Sequence, residues 1–227
     1  MIERRYVNTD VAIRSKADGG HVIDGYAAKF NKLSQNLGGF VEQIAPGAFT
    51  KTIQEADIRA LFNHEPGQVL GRNKSGTLRV SEDGTGLYYE IDLPNTTLAN
   101  DLRESMLRGD VNQSSFGFST VSDEWGLTEQ DIPLRTLKEV KLYDVSPVTF
   151  PAYLDTESGV VRSTFKSLAE VRHMNLDEVV TAAAHDELRA VILGDTEAQR
   201  PDQSTVIPLA TLQKRAALEQ FRAEAAS

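Results

Sequence analysis

The chain has 227 residues, 40% hydrophobic and 25% charged, values of an ordinary folded protein large enough for one sizeable core. Its formal net charge of −9 argues against a nucleic-acid partner, because phosphate binding needs clustered Lys and Arg. There is no cysteine, which excludes disulfides, thiolate metal sites and a cysteine nucleophile, and no apolar run approaches the ~20 residues needed to span a bilayer. Met1-Ile2-Glu3-Arg4-Arg5-Tyr6 lacks the apolar stretch of a signal peptide, so a cytosolic setting is the default expectation.

In chain order, Tyr6 to Ile13 and Val22 to Phe30 read as strands, with Asp18-Gly19-Gly20 as turn material between them. Residues Asn31 to Gly39 read as a loop. Ala45-Pro46-Gly47-Ala48-Phe49 leads into a short helix ending near Ala56, with Pro46 tolerated in its first turn. Ile58 to His64 is expected as a compact strand whose alternation puts Ile58, Ala60, Phe62 and His64 on one face; Glu65-Pro66-Gly67 breaks it. Val69 to Val80 and Leu87 to Leu93 form an expected strand pair. A helix from about Thr96 to Arg108 carries the apolar stripe Leu98, Leu102, Met106 and Leu107, and Gly109 ends it. The strand around Ser115 follows, and then a long β segment from about Leu134 to Phe150, closed by Pro151.

After Asp155 alanine and charge replace the β pattern. Asn175 with Glu178 three residues on reads as a capping box. Val179, Val180, Ala183, Ala184, Leu188, Val191 and Ile192 keep helical spacing up to Gly194. A polar linker, Asp195 to Ser204, precedes a last helix at about Leu209 to Ala226. The expected organisation is an α+β chain: a mainly β domain over residues 1–158 and a helical tail over residues 159–227.

Three side chains are candidates for chemistry. In Ser114-Ser115-Phe116-Gly117-Phe118, alternation puts Phe116, Phe118 and Ser114 on one face and Ser115 and Gly117 on the other. A small hydroxyl beside a glycine leaves room for a substrate backbone, although a strand with one packed and one small-residue face explains the same pattern. A serine nucleophile needs a base, and the base needs an orienting partner. Of His21, His64, His173 and His185, only His64 sits at a strand end on an apolar face before a sharp break; a satisfied core histidine is the competing explanation. Asp144 is expected on the apolar face with Val140 and Leu142, where a carboxylate is costly unless it is paired. A salt bridge or a solvent-facing edge would also satisfy it, and Glu65, Glu139 and Asp123 are alternative acids. The chain has no His-Glu-x-x-His, no Gly-x-x-x-x-Gly-Lys-Ser loop and no Gly-x-Ser-x-Gly elbow.

Five stretches together carry a family resemblance. They are Gly25-Tyr26-Ala27-Ala28-Lys29-Phe30, Ala45-Pro46-Gly47-Ala48-Phe49, Leu61-Phe62-Asn63-His64-Glu65, Ser115-Phe116-Gly117-Phe118, and Leu142-Tyr143-Asp144-Val145-Ser146-Pro147-Val148-Thr149-Phe150-Pro151-Ala152. In this order, over residues 22 to 155, the chain resembles the prohead proteases of tailed bacteriophages, capsid maturation enzymes related in fold to the herpesvirus assemblins. The resemblance implies a serine endopeptidase with a mainly antiparallel, barrel-like β core and a few flanking helices. His64 matches the family histidine and Ser115 the family serine. Asp144 falls where the family has an acid, whereas the assemblins use a second histidine. The implied substrates are the phage scaffold or major capsid protein and the enzyme's own C-terminal tail, inside the assembling prohead of the bacterial host. No cofactor, metal, nucleic acid or membrane is implied, and a homo-oligomer is left open. The alternatives are a non-catalytic capsid assembly or scaffolding protein built on the same domain, and an unrelated esterase or amidase.

Overall fold

Phe116 and Phe118 anchor the longest ladder among the described residues. They sit in a 15-residue strand, Gln113–Leu127, and a 16-residue strand, Pro133–Val148, folds back antiparallel on it. The structure is a computed structural model that describes residues 2–7, 11–17, 19–150 and 164–194. In chain order the strands are β1 (Glu3–Val7), β2 (Ala12–Ser15), β3 (His21–Lys29), β4 (Val41–Ile44), β5 (Arg59–Leu61), β6 (Val69–Arg72), β7 (Leu78–Glu82), β8 (Gly86–Asp92), β9 (Gln113–Leu127) and β10 (Pro133–Val148). The helices are α1 (Thr50–Glu55), α2 (Thr97–Leu107), α3 (Lys166–Arg172), α4 (Leu176–Ala184) and α5 (Leu188–Leu193).

These make a mixed α+β fold with two sheets. One runs β1-β9-β10-β5-β6, with β4 also paired to β10; the other runs β2-β3-β8-β7. Most pairs are antiparallel, but β10 takes β4 and β5 as parallel neighbours along its two halves. The shared core joins Ile23, Phe49, Ile58, Leu87, Tyr89 and Ile91 to Phe116, Phe118, Leu142 and Val145. Phe116 stacks on Phe118 at 5.0 Å between ring centroids and meets the Phe49 edge at 5.6 Å. Burying each ring contributes about 1.5–3 kcal/mol, which fixes the register of β9.

Local signals set several boundaries. Thr96 caps α2 by accepting from the Ala99 N–H, and Gly109 leaves the helix with φ 85°. The expected capping box at Asn175 and Glu178 forms on α4. Several expectations differ. The expected strand Tyr6 to Ile13 is divided, with Tyr6 and Val7 in β1 and Ala12 and Ile13 in β2, which belong to different sheets. The run Val69 to Val80 is not one strand: a 3₁₀ turn at Asn73–Ser75, ended by Gly76 at φ 75°, splits it into β6 and β7. The helical run to Gly194 is broken after Ala184, where Asp186 takes φ 60°, giving α4 and α5.

Helices α3 to α5 form a second apolar cluster with Phe40, Trp125 and Leu127. Trp125 packs on Phe40 and Phe165, and its Nε1–H donates to Ser167 Oγ at 3.1 Å. This covers the outer end of the β9–β10 hairpin. The expected last helix at Leu209 to Ala226 lies outside the described residues.

Candidate active site

The Phe116–Phe118 face packs inward, so Ser115 and Gly117 fall on the opposite face of β9, as alternation requires. Ser114 points into the core, where its hydroxyl donates to Tyr89 Oη at 3.1 Å. Ser115 is the residue that meets other chemistry.

His64 does not end a strand. β5 stops at Leu61, and Asn63 and His64 both adopt the left-handed region, at φ 53° and 58°. Each such residue costs roughly 1–2 kcal/mol without compensation. The compensation is visible. The Asn63 N–H donates to Pro147 O at 3.1 Å, its side-chain Nδ2 donates to Thr149 Oγ1 at 3.2 Å, and the Thr149 N–H donates to Asn63 Oδ1 at 2.8 Å. Asn63 thus clips the turn to the end of β10 and aims His64 inward.

Asp144 also arrives by a route that simple alternation does not give. Leu142 is paired with Phe118 and Asp144 with Gly117, so Tyr143 is an extra residue bulged out of β10. The bulge reverses the alternation. Leu142 stays on the core face, whereas Asp144 joins Ser115 and Gly117 on the other. The expectation that Asp144 shares a face with Leu142 is corrected by this bulge.

The three side chains meet. His64 Nε2 lies 2.6 Å from Ser115 Oγ, and His64 Nδ1 lies 2.6 Å from Asp144 Oδ1. The carboxylate can only accept from Nδ1–H, which leaves Nε2 as the lone-pair nitrogen facing the serine hydroxyl. Ser146, directly opposite Ser115 in the ladder, donates its hydroxyl to Asp144 Oδ1 at 2.7 Å. Sequence reading missed Ser146 and Asn63; register with Ser115 and an Asn next to the candidate base were the available signals. The alternative acids are engaged elsewhere or lie exposed: Asp123 with Arg135 at 2.5 Å, Glu139 with Lys51 at 3.2 Å, and Glu65 in solvent. Of the other histidines, His21 contacts Ser15 and Arg103, and the His185 ring meets Thr181 O.

Behind β9, on the phenylalanine face, Arg135 is only 1% exposed and contacts three carboxylates. Its Nη1 donates to Glu3 Oε2 and Glu42 Oε2, both at 2.9 Å, and its Nε to Asp123. Burial opposes charge on Arg135, but Glu42, Glu3 and Asp123 outweigh it and hold the guanidinium protonated. Arg5 completes the cluster by a two-point contact to Glu42, at 2.8 and 3.2 Å. This polar cluster ties β1 to β4, β9 and β10. Among the described residues, no group of three or more His, Asp or Glu is placed to hold a metal ion.

A hydroxyl, an imidazole and a carboxylate in this sequence of contacts is the constellation of serine hydrolases. Residues 9–171 match the model of the caudovirus prohead serine proteases, and the chain belongs to that family. It is 32% identical over 150 residues to the prohead protease of Enterobacteria phage HK97, covering 63% of this chain and 61% of that relative. The chain therefore matches about three-fifths of the relative's length. The structure of the bacteriophage T4 capsid assembly protease aligns with a TM-score of 0.38 and 12% identity, over 64% of this chain and 98% of that one.

Proposed function

We propose that this chain is a serine endopeptidase of prohead maturation in which Ser115 is the nucleophile, His64 the general base and Asp144 the residue that orients it. The continuous contact from Ser115 Oγ through His64 to Asp144, with both links at 2.6 Å, carries the reading. His64 Nε2 takes the Ser115 proton as Oγ attacks the scissile carbonyl carbon. Asp144, still ionised, stabilises the imidazolium and keeps Nδ1 as the donor. The imidazolium then protonates the leaving amine, and the acyl-enzyme remains on Ser115. Water, activated by the same His64, hydrolyses it and restores the hydroxyl.

The substrates in this reading are the capsid protein or scaffold inside the assembling prohead of the host, and the enzyme's own segment after residue 158. The protease domain is residues 1–158, and its two sheets, packed about one core, are read as a barrel-like scaffold. The test is coexpression with the phage's capsid and scaffold proteins. Wild type should cleave them, and Ser115→Ala, with unchanged thermal unfolding, should not. Equal cleavage by both would remove the serine from the mechanism and favour a non-catalytic assembly role.

A further inference from the structure

β1 lies across the nucleophile. Among the described residues it is the outermost strand of its sheet, and it pairs antiparallel with β9, with Tyr6 opposite Ser115 and Arg4 opposite Gly117. The Arg5 backbone carbonyl is 2.9 Å from Ser115 Oγ, and Ser115 is 0% exposed. Two consequences follow from that one contact. The serine hydroxyl has a single proton and two acceptors, His64 Nε2 and Arg5 O, so β1 competes with the base for the proton that must be transferred. A scissile carbonyl must also come within roughly 3–3.5 Å of Oγ. The Arg5 carbonyl occupies that volume, with its oxygen rather than its carbon towards Oγ, so it blocks the site without being in position for attack.

We infer that β1 is an internal strap that holds the edge of β9, and that an extended polypeptide substrate docks there only when β1 lifts off. This deepens the protease reading and rests on Ser115 being the nucleophile. On its other side β9 is already paired with β10, so the edge under β1 is the one available to an added strand. At Glu3 and Arg5 the hold on β1 is polar. Glu3 and Arg5 reach Arg135, Glu42 and Thr120, Arg5 also lies over the Phe118 ring at 5.6 Å from its centroid, and Ile2 is about half exposed. A five-residue edge ladder whose Glu3 and Arg5 are tied by ion pairs can part from β9 while the β9–β10 pairing stays intact. β1 also precedes residue 9, where the match to the family model begins.

The chain's lack of cysteine permits a reversible lock. Continuing the register by one residue places Ile2 opposite Ser119, a separation that a disulfide spans. The Ile2→Cys/Ser119→Cys enzyme, oxidised, should not cleave coexpressed capsid protein, and fluorophosphonate labelling of Ser115 should fall to background. Dithiothreitol should restore both, while wild type ignores it. Glu3→Gln, which loosens β1, should label faster than wild type by roughly tenfold or more if the lifted state is minor in the resting enzyme. An oxidised enzyme that still cleaves and labels at the wild-type rate would overturn the strap. Wild type that cleaves nothing and never labels at Ser115, even after Glu3→Gln, would instead remove the nucleophile assignment on which the strap depends.

Discussion

Gly117 lies directly opposite Asp144 in the β9–β10 ladder, and it does so because Tyr143 is bulged out between Leu142 and Asp144. The missing side chain matters at this point. A Cβ built on Gly117 would overlap Asp144 Oδ2. Glycine there is the space in which the Asp144 carboxylate sits.

Gly117→Ala should therefore displace Asp144 from His64. A misplacement of this kind costs on the order of 10²-fold in turnover, and crowding the site should lower stability by about 1–3 kcal/mol. Paired measurements of peptide cleavage and thermal unfolding check both; unchanged turnover would mean that Asp144 does not orient the base.

Asp144→Asn keeps the shape but can donate to His64, permitting the wrong tautomer. Turnover should fall on the order of 10³- to 10⁴-fold, with little change in substrate affinity. Near-normal kcat would remove Asp144 from the mechanism.

Ser146→Ala takes away one of the two donors to Asp144 Oδ1. Its effect should appear in kcat and not in KM, because Ser146 acts through Asp144 rather than on substrate. The carboxylate loses an interaction of about 1.5–3 kcal/mol, and Ser146→Thr, which keeps the hydroxyl, should retain most of the activity.

The three side chains that meet are legible in the sequence, but the backbone that brings them together is only partly so. Alternation at Phe116 and Phe118 placed Ser115 correctly because two buried rings leave β9 only one register. His64 does meet Ser115, but from another element than the expected strand: β5 ends at Leu61, and a left-handed Asn63-His64 turn takes over, held by contacts to Pro147 and Thr149 over 80 residues away in sequence. Asp144 meets His64 from the face opposite to the expected one, since a bulge at Tyr143 has no signature in periodicity. The Arg135 cluster and the pairing of β1 with β9 join residues more than 90 apart, beyond the reach of any local pattern.

The neighbouring serines make an internal control. Ser114→Ala removes the bond to Tyr89 Oη in the core, at a cost of about 1–3 kcal/mol, but should leave processing intact. Equal loss of processing in Ser114→Ala and Ser115→Ala would defeat the register of β9.

Acid should loosen β1. Burial pushes the Glu3 carboxyl up, but Arg135 and Arg5 outweigh it and hold it below its ordinary value of 4.5. A carboxylate whose folded value lies below its unfolded one stabilises fully above the unfolded value, and that contribution is lost as pH falls through the folded one. Thermal unfolding should thus be insensitive to Glu3 near neutrality and weaken below about pH 4.5. Glu3→Gln should flatten that acid limb while costing about 3–5 kcal/mol near pH 7, because it leaves Arg135 short of a partner. An unaltered acid limb in Glu3→Gln would assign it to other carboxylates.

If Ser115 is the nucleophile of a protease acting on capsid-shell proteins, its loss must abolish their truncation. Intact-mass spectrometry of capsid and scaffold proteins coexpressed with wild type, Ser115→Ala or His64→Ala tests it most directly. Truncated masses are expected with wild type alone, and full-length masses with either variant, since members of a triad act as a unit. Truncation at the same positions with Ser115→Ala would contradict it.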